Sequence, residues 1–170
     1  KACRCKAGRK KEQGGAYRAQ YARHTPIQAK RKSITKYEAK RPGKVHQHAT
    51  MAAMIQSVDE GVGKIIAKLE QLGQRDNTVI FFFSDNGGYG PATDMAPLWG
   101  YKGNYYEGGI RVPMIVKWPG NGKGGIVCEV PVFSTDFFPA ILEMAGLPAP
   151  QTLGFASAHN GSLVVSGVGE

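Results

Sequence analysis

Between Met51 and Leu72 the apolar residues Met51, Met54, Ile55, Val58, Val62, Ile65, Ile66, Leu69 and Leu72 recur at i, i+3, i+4 spacing. That period predicts an amphipathic helix over about Ala49–Leu72. Gly73 follows where a glycine closes helices most easily, since the last turn ends in a left-handed residue. Asp76-Asn77 then reads as a turn, and Thr78–Phe83 ends in four apolar residues, the mark of a buried strand. A long helix returning through a tight turn into an apolar strand constrains the chain to an α/β unit, a sheet with helices packed on it.

The rest of the chain is read around that unit. The basic stretch over residues 30–44 holds a short helix ahead of Pro42-Gly43. Residues 87–109, rich in glycine and aromatics, form a long loop, and long loops in compact domains are often functional. Ile110–Gly120 reads as a second strand bordered by Pro113. Phe133–Gly146 reads as a helix capped by Ser134 or Thr135, with Pro139 in its first turn and Gly146 at its close. Residues 1–21 and 151–170 carry no clear period and are expected to lie outside the ordered domain, which spans 22–150.

Charge divides the same way. Residues 1–44 hold 15 Lys/Arg against two acids, a balance of +13, whereas residues 45–170 hold 7 against 11, a balance of −4. A basic arm can bind nucleic acid, but no aromatic stacking pattern or zinc-finger spacing accompanies it, so no nucleic-acid partner is expected. No apolar run approaches the roughly 18 residues of a membrane helix, and no membrane partner is expected either. Cys3, Cys5 and Cys128 are too few and too oddly placed for a disulfide framework.

The chemistry concentrates at the end of the predicted strand, in Ser84-Asp85-Asn86-Gly87-Gly88. Ligands of open α/β sheets bind outside the carboxyl ends of strands. Asp85 and Asn86 present side-chain oxygen, suited to a hard cation, and the glycines let backbone approach a ligand closely. The same residues also make an ordinary Asp-Asn-Gly turn that needs no metal. The neighbours decide between these readings. Leu98–Gly120 ("LWGYKGNYYEGGIRVPMIVKWPG"), following "SDNGG", resembles the formylglycine-dependent, arylsulfatase-like sulfatases of the alkaline phosphatase superfamily. "HTPIQAK" (His24–Lys30), the Met51–Gly73 helix and Thr135–Pro148 fall in the same family order. The resemblance covers residues 22–150 and implies the C-terminal part of a catalytic domain, with a mainly parallel sheet flanked by helices.

The resemblance implies roles at four positions. Asp85 and Asn86 match calcium ligands. Lys102, within "GYKGNYYEGG", matches the lysine that binds the sulfate group, and His24 the histidine near the leaving-group oxygen. These residue types suit the chemistry. Cations stabilise the charge spread over a sulfate ester's oxygens, and a histidine can donate to a departing alkoxide. The four side chains are expected to line one pocket, with "HTP" and "SDN" each following a strand end and Lys102 turned toward Asp85. Glu107 and Arg111 read as a structural ion pair, and His46, His48 and His159 as surface residues.

The family's other parts are not found in this chain. There is no Asp-Asp pair to complete the calcium site. Cys5-Lys6-Ala7-Gly8-Arg9 fits the C-x-A-x-R pattern of the cysteine oxidised to formylglycine, but fewer than 20 residues separate it from His24 and the following "KKEQGGAY" does not match. Cys5 is therefore set aside as nucleophile, and formylglycine is expected only in a longer protein. The expected function is sulfuric ester hydrolysis, with a sulfated small molecule or glycan as substrate, calcium as cofactor and the chain inactive by itself. A phosphonate or phosphate ester hydrolase and a non-catalytic binder of sulfated glycans are the alternatives. Compartment stays open; periplasmic, secreted and lysosomal locations all suit the family.

Overall fold

The computed structural model describes residues 3–6, 14–20, 24–121 and 124–148. Its elements run in the order β1 (Cys3–Lys6), β2 (Gly14–Tyr17), α1 (Arg31–Glu38), α2 (Ala49–Gln71), β3 (Ile80–Phe83), α3 (Glu107–Ile110), β4 (Met114–Lys117) and α4 (Phe137–Met144). They fall into two compact units, Arg18–Pro119 on one hand and Lys1–Tyr17 with Gly120–Glu170 on the other. No helix among the described residues is long and apolar enough to cross a membrane.

The larger unit is built on α2. Its first half supplies most of the core. Met51, Ala53, Met54 and Val58 are buried, and α1 packs against α2, with the Lys36 ammonium donating to Gln56 Oε1 at 3.0 Å. The helix ends within a residue of the predicted bound, and Gly73 takes the expected left-handed conformation at φ 64°. The predicted apolar stripe is only half used. Ile55, Ile65 and Leu72 are exposed, because a helix about 34 Å long is packed only by α1 and the short 3-10 turn Arg75–Asn77 among the described elements.

The start of α2 also departs from the sequence reading. His48 is exposed, as a surface residue should be, but it is also the N-cap, a role the sequence did not signal, and its Nδ1 accepts the Met51 N–H at 3.2 Å. An imidazole nitrogen here does what Ser, Thr, Asp or Asn oxygens usually do, satisfying an amide with no partner inside the helix.

β3 and β4 form a two-stranded antiparallel sheet in the register Ile80↔Lys117, Phe81↔Val116, Phe82↔Ile115 and Phe83↔Met114. Both are shorter than the predicted Thr78–Phe83 and Ile110–Gly120, and Ile110 belongs to α3 instead. Pairing in this direction needs no helical crossover, and mainly parallel sheets commonly carry one antiparallel strand. With two strands and no helix layer packed on them among the described residues, Phe82 and Phe83 are exposed rather than buried as predicted, and Ile115 on the partner strand is exposed too. Lys117 anchors the sheet to the preceding turn through a 2.7 Å bond from its ammonium to the Arg75 carbonyl.

In the other unit, β1 and β2 pair antiparallel in a segment where no strand was predicted. The predicted helix over 133–146 is a 3-10 turn, Ser134–Asp136, continued by α4. Asp136, not Ser134 or Thr135, does the capping, its carboxylate accepting the Phe133 N–H at 2.8 Å. Pro139 sits in the first turn of α4 and Gly146 closes it at φ 70°. Residues 149–170 lie outside the described residues, and with them His159.

Candidate active site

The segment after β3 turns away as soon as the strand ends. Ser84 donates its hydroxyl to the Asn86 carbonyl at 2.9 Å, which holds Asp85 and Asn86 in a bend directly beyond the strand's carboxyl end. Asp85 is exposed and Asn86 half-buried. Gly87 is buried, and its N–H donates to the Gly109 carbonyl at 2.8 Å. A Cβ at Gly87 would strike the Gly108 carbonyl oxygen. Only glycine lets the two backbones meet at this point.

Lys102 is set by a turn of its own. The Asn104 N–H donates to the Tyr101 carbonyl at 2.9 Å, and Gly103, the third residue of that turn, has φ 95°. A positive φ at this place is the type II geometry, which asks for glycine there and puts the preceding residue on the corner. That corner residue is Lys102. Its own N–H donates to the Gly88 carbonyl at 2.9 Å, and farther along Gly108 N–H donates to the Trp99 carbonyl at 2.8 Å. Trp99 and Tyr106 stack with centroids 5.1 Å apart and planes 7° from parallel. The Glu107–Arg111 pair, 3.4 Å apart and exposed, spans α3 as expected.

Three of the four predicted site residues are thus tied together by backbone bonds. Gly87 to Gly109 and Gly88 to Lys102 lock the Asp85-Asn86 bend to the lysine's turn. Lys102 is half-buried and forms no ion pair with Asp85, so the expected inward turn of the lysine is corrected. Its main chain is committed to Gly88.

His24 is not part of that lock. It is exposed, in an irregular stretch before α1, and does not directly follow a described strand. Its Nδ1 lies 2.9 Å from the Thr25 carbonyl oxygen. The Thr25 hydroxyl lies 3.5 Å from the same nitrogen, so a protonated Nδ1 donates to the carbonyl and an unprotonated one accepts from the hydroxyl.

A cleft of about 560 Å³ opens next to these loops, between the segment ahead of α2 (Val45–His48) and the loop from Gly90 to Tyr101. None of Asp85, Asn86, Lys102 and His24 lines it, so it is not the four-residue pocket expected. Sequence reasoning missed this feature and the residue that supports it. Met95 accepts the Gly88 N–H on its sulfur at 3.3 Å, which no pattern in "PATDMAPL" signals.

Asp85 and Asn86 fit a hard cation in kind, both offering oxygen, but they are two side-chain ligands where calcium takes about 6–8 oxygens. No group of three or more His, Cys, Asp or Glu able to hold a metal occurs among the described residues.

A family model described as Sulfatase matches residues 10–147, starting ahead of the boundary at residue 22 read from the sequence. A sulfatase of Formosa agariphila is 36% identical over 148 residues, 80% of this chain and 27% of that protein. Human steryl-sulfatase is 33% identical over 114 residues, 62% of this chain and 20% of that protein. A crystal structure described as Ps i-CgsB in complex with k-i-k-neocarrahexaose superposes with a TM-score of 0.67 at 38% identity, covering 75% of this chain and 28% of that one. The chain therefore spans between a fifth and just over a quarter of the length of these relatives.

Proposed function

Since the chain belongs to the sulfatase family and carries part of that family's alkaline-phosphatase-like α/β fold, we propose that the protein hydrolyses sulfate esters of a glycan. Lys102 binds the sulfate group. Its ammonium has no carboxylate partner among the described residues, and its backbone is bonded to Gly88, two residues past a bend that offers further oxygen ligands. This locked pairing of Lys102 with Asp85-Asn86 is the observation that carries the reading. A lysine ammonium concentrates charge where a sulfate monoester's oxygens must be neutralised.

Asp85 and Asn86 hold part of a calcium site, and the remaining ligands come from outside the described residues. When bound, the cation supplies electrostatic stabilisation of the sulfate oxygens. His24 serves the leaving-group oxygen. A histidine there can donate a proton or a hydrogen bond to the departing oxygen. The formylglycine nucleophile belongs to a part of the protein beyond this chain, and the chain alone does not turn over. A sulfated glycan as substrate is supported by the oligosaccharide in the structural relative.

The test is calorimetric. The chain should bind 4-nitrophenyl sulfate, and Lys102→Ala should weaken that binding about tenfold, the loss of one charge-assisted contact. Equal binding by the variant refutes the assignment. Measurable turnover by the chain that disappears in Cys5→Ala would overturn the claim of inactivity and restore Cys5 as nucleophile.

A further inference from the structure

The cleft beside the lysine loop has properties that sulfate binding does not explain. It is lined by no lysine or arginine and includes one carboxylate, Asp94, so it is not where the sulfate itself would sit. Its volume of about 560 Å³ falls within the roughly 300–1,000 Å³ of small-molecule sites. The lining supplies hydrogen-bonding groups of both kinds around an aromatic ring.

The donor is fixed. Because His48 Nδ1 accepts the Met51 N–H, the neutral ring carries its proton on Nε2, which is a donor only. The acceptor is fixed as well. Asp94 Oδ1 takes the Ala96 N–H at 2.8 Å, which orients the carboxylate and leaves Oδ2 for a hydroxyl. The Tyr101 ring, also in the lining, rests on the Gly90 backbone, since a Cβ on Gly90 would fall 2.7–2.9 Å from its ring carbons. Tyr101 is nevertheless 49% exposed, so one side of the ring is supported and the residue still reaches solvent. The walls are tied to the sulfate site through the Gly88–Met95 bond and through the peptide joining Tyr101 to Lys102.

We infer that this cleft is a subsite for a neutral sugar residue next to the sulfated one. A pyranose combines an apolar ring face with a rim of hydroxyls that both donate and accept. An aromatic surface with one fixed donor and one fixed acceptor matches that chemistry. The inference rests on the sulfatase reading for what adjoins the sugar, but not for the binding itself.

The experiment titrates the full chain by calorimetry with an unsulfated galactan tetrasaccharide and with its sulfated counterpart. His48→Asn keeps a strong helix cap but loses the Nε2 donor. Asp94→Asn keeps the acceptor for Ala96 but loses the second carboxylate oxygen. Each should weaken binding of the unsulfated sugar about three- to tenfold, the loss of one hydrogen bond. Far-UV circular dichroism should show unchanged helix content. Lys102→Ala should leave the unsulfated sugar unaffected and abolish any gain from sulfation. If the unsulfated sugar does not bind at millimolar concentration, or both variants bind it as tightly as the parent, the subsite is refuted. If it binds as expected but sulfation adds nothing and Lys102→Ala has no effect, the sulfate site fails and the sugar subsite stands.

Discussion

Gly87→Ala tests the lock between the Asp85-Asn86 bend and the lysine loop. An alanine Cβ at this position would strike the Gly108 carbonyl oxygen and lie 2.8 Å from Gly108 C and 3.0 Å from Gly109 Cα, where ordinary contact begins at 3.4 Å. The neighbours are main-chain atoms and cannot rotate away. Relief at the carbonyl carbon alone requires the strands of the lock to part by 3.4 − 2.8 = 0.6 Å. The Gly87–Gly109 bond, now 2.8 Å, would lengthen to about 3.4 Å, past the roughly 3.2 Å limit of a good N–H···O bond. Losing it costs about 1 kcal/mol, the adjoining Lys102–Gly88 bond about the same, and the residual overpacking about 1–3 kcal/mol. The expected loss is about 3–5 kcal/mol, a large share of an ordinary domain's stability. Urea unfolding measures the total, and hydrogen exchange at the Lys102 amide reports the lock itself. Gly88→Ala is the control. Its Cβ would meet the side chains of Thr93 and Met95, which can shift, so it should cost less than half as much. A Gly87→Ala protein within about 0.5 kcal/mol of the parent, with its Lys102 amide still protected, would refute the reasoning.

Three further outcomes follow from the same structure. Gly63 lies inside α2 with nothing within 4 Å of a Cβ, so Gly63→Ala should stabilise the chain by about 0.5–1 kcal/mol in thermal unfolding; a loss would show that this face is covered. Met54 is 3% exposed in the half of α2 that supplies the core, and Met54→Ala should cost about 2–3 kcal/mol by urea titration, a cost below 1 kcal/mol meaning that this core is not a cooperative unit. Calcium titrated into the chain should bind no more tightly than about millimolar, with two side-chain oxygens for a cation that seeks about 6–8, and Asp85→Ala should remove the signal; micromolar affinity would mean a fuller site than Asp85 and Asn86 provide.

What the sequence determined by itself was local. The 3.6-residue period placed α2 within a residue of its end. Gly73 and Gly146 sit at positive φ after their helices, because the left-handed closing residue is a demand on one position that one residue type meets cheaply. Asp85 and Asn86 were legible at a strand end because "FFFSDNGG" carries both the strand and its break. Tertiary structure alone decided the rest. Periodicity records which face of a helix avoids water but not what covers it, so the exposure of Ile55, Ile65 and Leu72 could not be read from the stripe. Phe82 and Phe83 look equally buried in one dimension, yet burial needs a layer across the sheet, and strand composition does not specify the antiparallel partner Met114–Lys117. His48 became a cap because the backbone presents the Met51 N–H to its Nδ1, and Met95 became a support because the loop folds its sulfur over Gly88. Both roles are contacts between a side chain and a backbone group placed by the fold, and such contacts exist only once the chain has closed on itself.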